Sequence, residues 1–161
     1  MFGGSGQNEE RRRARGGHAV VEVALMAPWI FLLFMGIFDF GFYAYSVIAV
    51  ENAARVAVAF TSSGGADNSS GACGYVVREL QSLVNMPAIT ACVCGPGATC
   101  TEGPVKIQAT QTVGAACPEG VNLAECTTVT VTYTTPQLFP IPGLAGQFTI
   151  TRRAEARVRK G

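Results

Sequence analysis

The stretch HAVVEVALMAPWIFLLFMGIFDFGFYAYSVIAVENAARVAVAF, residues 18–60, decides how this chain is built. Between Val23 and Val50 its only charged side chain is Asp39. A helix over that span is about 42 Å long at 1.5 Å per residue. A bilayer's hydrocarbon core is about 30 Å thick, so the helix crosses it with length to spare. Pro28 removes a backbone donor inside the helix and predicts a kink or local loosening. Glu51 and Arg55 form an i,i+4 pair of the favourable polarity. The alanine-rich VENAARVAVAF predicts that the helix continues to about Phe60 as a stalk beyond the membrane.

Glu22 sits just inside the apolar run. A carboxylate costs roughly 2.5–3.5 kcal/mol at the centre of a membrane helix and less near its ends. Glu22 and Asp39 lie about 26 Å apart along a helix, near opposite boundaries of the hydrocarbon core. Phe38, Phe40, Phe42, Tyr43 and Tyr45 cluster around Asp39 as in the aromatic belt of a membrane interface. Read without partners, Glu22 snorkels to water and Asp39 is a helix-end residue in the headgroup region.

The flanks set the direction. Arg11, Arg12, Arg13 and Arg15 precede the run, and little positive charge follows until Arg55. The positive-inside rule puts the N-terminus in the cytoplasm and the rest outside. Cys73, Cys92, Cys94, Cys100, Cys117 and Cys126 all follow the run, which predicts disulfides in an oxidising compartment. Six cysteines allow 15 pairings, and the sequence does not choose among them.

Composition narrows the chemistry. Charged residues are 14% of the 161 and the net charge is +1, which argues against a nucleic-acid binder. His18 is the single histidine, so a histidine-centred metal site or a Ser-His-Asp triad is not expected. The acidic residues beyond the helix, Asp67, Glu79, Glu102, Glu119, Glu125 and Glu155, are scattered. There is no glycine-rich phosphate loop or activated-cysteine arrangement. The expectation is a non-enzymatic protein without cofactor or metal.

Glu22 gains a reason if the chain is cut between Gly17 and His18. It then becomes the fifth residue of a protein with a new α-amino group, as in a type IV prepilin. When subunits stack with an axial offset, one Glu22 meets a neighbour's amine, and the opposite charge offsets the desolvation of both. The order Gly17-x-x-x-x-Glu22, Pro28, Asp39-Phe40-Gly41 and Asn52-Ala53-Ala54-Arg55 resembles the TadE-like family of the tight-adherence (Tad) pilus. Val23 departs from the Phe more usual after the glutamate, and the six cysteines are not a mark of the family as a whole. The likeness covers roughly residues 16–60 well. It covers 127–158 loosely, as a strand, a proline-rich crossing and a last strand. It implies a minor pilin or pseudopilin, with Glu22, Pro28 and Asp39 serving assembly. The implied partners are a prepilin peptidase, other pilin subunits and an inner-membrane assembly platform.

Beyond the helix, TSSGGADNSSGA (61–72) reads as a flexible linker. Asn68-Ser69-Ser70 matches the glycosylation pattern, a chance match in a serine-rich loop. Val76, Val77, Leu80, Leu83 and Val84 stand at helical spacing and predict an amphipathic helix over 73–85, ending before Pro87. ACVCGPGATC reads as a disulfide-stapled loop in preference to a metal site, since Cys-x-Cys is short for a metal pair. Cys117 and Cys126 flank a loop and are a candidate pair. Period-two alternation predicts strands at Val105–Val113, Thr127–Thr134 and Gln147–Val158. One-sided apolar faces predict an antiparallel sheet with one wet face. Its dry face would pack on the 73–85 helix and the outer turns of the long helix.

The predicted fold is α+β: a long transmembrane and stalk helix, then a small disulfide-stapled domain with a short helix and a roughly three-stranded antiparallel sheet. The segments are a leader (1–17), the helix (18–60) and the exported domain (61–161). The protein would span the inner membrane once, with its C-terminal domain periplasmic or extracellular, and join a pilus after assembly. Two other readings of the sequence are an uncut single-pass anchor carrying a periplasmic scaffold or binding domain, and a secreted domain released after Ala44-Tyr45-Ser46.

Overall fold

The computed structural model describes residues 6–64, 67–86, 88, 92–113, 125–138 and 146–159. Its elements are α1 (Gly6–Ser62), α2 (Ser69–Leu80), β1 (Thr99–Glu102), β2 (Val105–Val113), β3 (Glu125–Thr134) and β4 (Thr149–Arg157). The chain divides into two compact units, Met1–Phe42 and Tyr43–Gly161.

The described residues of the first unit are helix. α1 runs through Pro28 as helix, and from Val20 to Phe40 its large apolar side chains stand exposed, apart from the half-buried Met35. Apolar residues on every side of a helix are the signature of a segment that needs an apolar surrounding other than its own fold. α1 is long and apolar enough to cross a membrane.

In the second unit two helices cover one face of a sheet. The buried stripe on the last turns of α1 is Val50, Ala53, Ala54, Ala57, Val58 and Thr61. On α2 it is Ser69, Ala72, Cys73, Val76, Val77 and Leu80. Both stripes follow i, i+3, i+4, i+7, i+8, i+11, the spacing that puts six side chains on one helical face. The small residues among them let backbones approach closely. Phe60 and Tyr75 add a ring contact between the helices, with centroids 4.7 Å apart.

The sheet order is β1-β2-β3-β4, antiparallel throughout. Its inner face carries Val105, Ile107 and Ala109 from β2, then Val129, Val131 and Tyr133 from β3, all fully buried. Ile150 of β4 joins the same core. Arg152 shares that face two residues on, half-buried on the edge strand, where an inward charge discourages further strand addition. Gly103 has φ +57 at the first position of the two-residue β1–β2 turn and Pro104 fills the second. That turn needs glycine at its first position.

Four features differ from the sequence-based expectations. The sheet has four strands, because β1 straddles the end of the stapled loop and is too short to show alternation. The short helix is Ser69–Leu80 rather than 73–85. The expected linker is therefore shorter: Thr61 and Ser62 close α1, and Ser69–Ala72 open α2. Asn68 is the N-cap, its Oδ1 accepting from Gly71 N at 2.8 Å, and Ser69 and Ser70 are the first residues of the helix. β3 begins two residues early and β4 spans Thr149–Arg157. The proline-rich crossing around 139–145 and Cys117 lie outside the described residues.

Candidate functional site

The chemistry-bearing residues of α1 follow from its periodicity. The Gly17–His18 bond lies within the helix, and His18 and Glu22, at i and i+4, share a face. Both are exposed, among exposed Val20, Val21, Val23 and Leu25. Asp39 is half-exposed, near exposed Phe38 and Phe40. The helix thus presents isolated carboxylates in an apolar sleeve, an arrangement that can pair charges between molecules. Gly17, His18, Glu22, Pro28 and Asp39 all belong to one helix.

The motif residues at the outer end of the helix turn inward. Ala53 and Ala54 are buried against the domain, while Arg55 is exposed and pairs with Glu51 on the opposite side. Asn52-Ala53-Ala54-Arg55 therefore has a structural explanation, with alanines at the helix–sheet contact and the ion pair in water. The family model described as TadE-like protein matches residues 17–59. That span holds every motif on which the resemblance rests, from Gly17 to Arg55. The match ends close to the end of α1, and the looser likeness of the last strands falls beyond it. No curated protein and no solved structure matches the chain.

The cysteines are structural. Cys73 on α2 bonds Cys92, with their Cα atoms 6.0 Å apart. Cys94 bonds Cys100 at the start of the sheet, with Cα atoms 5.6 Å apart. Cys126 is also disulfide-bonded; its expected partner, Cys117, lies outside the described residues. Glu102 approaches the Cys73 and Cys92 sulfurs within 4.8 Å. Those sulfurs are spent on each other, so the trio offers no thiolate to a metal.

Sequence reasoning missed the hub at the start of α2. The Ser69 hydroxyl donates to Ala109 O at 3.2 Å and accepts from Ala109 N at 3.1 Å. β1 ends its pairing with β2 at Gln108, so this one side chain completes the next step of an open edge. The Asp67 carbonyl accepts from both Ser69 N and Gly97 N at 2.8 Å. The Ser70 hydroxyl bonds Cys92 O. The signal was the Asn-Ser-Ser run before an apolar periodicity, which is also a helix-start pattern.

Proposed function

We propose that this chain is a TadE-like minor pilin or pseudopilin. In this reading a prepilin peptidase cuts between Gly17 and His18, and the retained helix anchors the subunit in the inner membrane and later packs in a Tad-type pilus. The observation that carries the reading is the exposed apolar helix from Val20 to Phe40 with Glu22 four residues after His18. A peptidase that left the helix in place would create an amine beside an apolar surface already fitted with its counter-charge. Glu22 would then meet the amine of a neighbouring subunit, and both charges would leave water as a pair. The positive-inside rule puts Arg11–Arg15 in the cytoplasm and the domain of 43–161 outside.

The test is incorporation. Pili sheared from cells carrying the matching Tad machinery should contain the wild-type chain. Glu22→Ala should be processed but depleted from the sheared fraction by about tenfold, the scale of one lost charge-assisted contact. Equal amounts of the two chains in the pili would contradict the pairing.

A further inference from the structure

The sheet face turned away from the helices is made largely of hydroxyls. Register places Thr101, Lys106, Thr132 and Thr151 in one row across the four strands. The next row is Thr99, Gln108, Thr130 and Arg153. Thr134 and Thr149 pair on the other side of the first row. Directly opposed residues share a face, so these side chains form one surface. All are exposed or half-buried, and none is apolar or acidic. Farther along β3, Cys126 and Thr128 are buried, so the open part of the face is the end nearest the β1–β2 turn.

That end borders a cavity of about 480 Å³, lined in part by Asn85, Lys106, Thr134, Thr135 and Gln147. Hydrogen bonds hold two parts of its wall. The Tyr133 hydroxyl donates to Val84 O at 3.0 Å and so holds the segment that presents Asn85. Thr135 Oγ1 accepts from Phe148 N at 2.9 Å. The Thr132 and Thr151 hydroxyls bond each other at 3.2 Å, which sets the middle of the grid before any ligand arrives.

The chemistry of the face selects a ligand class. Strands about 4.8 Å apart with like-facing residues about 6.8 Å apart form a near-flat grid of groups that both donate and accept. Lys106 and Arg153 only donate. Arg153 already pairs with Glu155, one row beyond, which leaves Lys106, among the described residues of these rows, as the charge facing the cavity. Nucleic acid and anionic membranes are bound mainly through clustered cations and would leave the hydroxyl grid largely unused. Without an apolar side chain in these rows, the face lacks the hydrophobic centre of a typical protein interface. A chain rich in hydroxyls with spaced carboxylates matches it on both counts. We infer that this face binds an acidic polysaccharide, with sugar hydroxyls on the threonine grid and a carboxylate on Lys106. The inference rests on the reading above only in that the domain is displayed outside the cytoplasm.

The test uses the purified full chain in detergent micelles, so that a failure of processing or assembly leaves the result untouched. Calorimetric titration compares polygalacturonate fragments, dextran (hydroxyls without charge) and polyglutamate (charge without sugar hydroxyls). Polygalacturonate alone should bind. Lys106→Ala should weaken it by about tenfold or more, the worth of one hydrogen bond to a charged group. The double change Thr132→Val and Thr151→Val should weaken it by about fivefold with circular dichroism unchanged. Arg78→Ala, on the exposed side of α2, should leave it unchanged. Absence of polygalacturonate binding, equal binding of either comparison polymer, or full affinity in both face variants would overturn the inference.

Discussion

Thr127 on β3 donates its hydroxyl to that of Thr61 on the last turn of α1, 3.0 Å away and fully buried. The Thr61 hydroxyl in turn donates to Val58 O at 3.1 Å. The outer end of the long helix is thus fastened to the sheet by a polar chain inside an apolar layer, and Arg159 N adds a bond to Ser62 O at 2.8 Å. Thr61→Val should cost about 1–3 kcal/mol, because it removes the acceptor of a buried donor. The double variant with Thr127→Val should cost less than the two single changes summed, since the polar atoms then leave together. Thermal unfolding followed by near-UV circular dichroism checks both; strict additivity would show that the two hydroxyls act independently.

Ser69 tests the hub at the start of α2. Ser69→Ala takes both partners from the Ala109 backbone at the open edge of β2 and should destabilise the domain by about 1–3 kcal/mol. Ser69→Thr should lose less, since it keeps the hydroxyl. Amide exchange at Ala109 is the direct readout, and unchanged protection in Ser69→Ala would refute the role.

Tyr133 gives a pH signature. Burial raises its phenol above the ordinary value of 10.0. A raised folded value means that the neutral form is favoured in the native state. Its stabilisation is therefore whole below pH 10.0 and is lost as pH rises from there through the folded value. Tyr133→Phe should cost about 0.5–1.5 kcal/mol near neutrality through the lost bond to Val84 O. It should also remove part of the alkaline loss, so the gap between variant and wild type should narrow above about pH 10. A gap independent of pH would count against this assignment.

The two disulfides with both partners among the described residues should differ in worth. Cys73–Cys92 closes a sequence separation of 19 and Cys94–Cys100 one of 6. Chain-entropy arguments give about 3 kcal/mol for the first and about 2 kcal/mol for the second. Paired serine substitutions, compared by denaturant midpoint, should fall in that order, and the reverse order would show that the first bridge is not the main staple.

Much of this fold was legible because burial imposes a period. The 18–60 helix, the sheet's antiparallel faces and the Val105–Val113 strand all follow from which residues must leave water. β1 was hidden because four residues, one of them a disulfide cysteine, are too few to display alternation before the turn. The start of α2 was hidden because Asn, Ser and Gly serve loops and caps alike, and only the Ser69–Ala109 contact tells them apart. The motif from Gly17 to Arg55 was readable, but its outer part carries packing: Ala53 and Ala54 are core residues. The threonine face was visible as alternation, yet its rows needed the register of all four strands.

The central claim is tested most directly by the N-terminus of the chain recovered from membranes of a host with the matching prepilin peptidase. Sequencing and intact mass should show a protein that begins at His18, with Gly17→Leu blocking the cut because a bulky side chain would occupy the place of a glycine. A chain that still begins at Met1 in that host would contradict the account and leave an uncut membrane anchor.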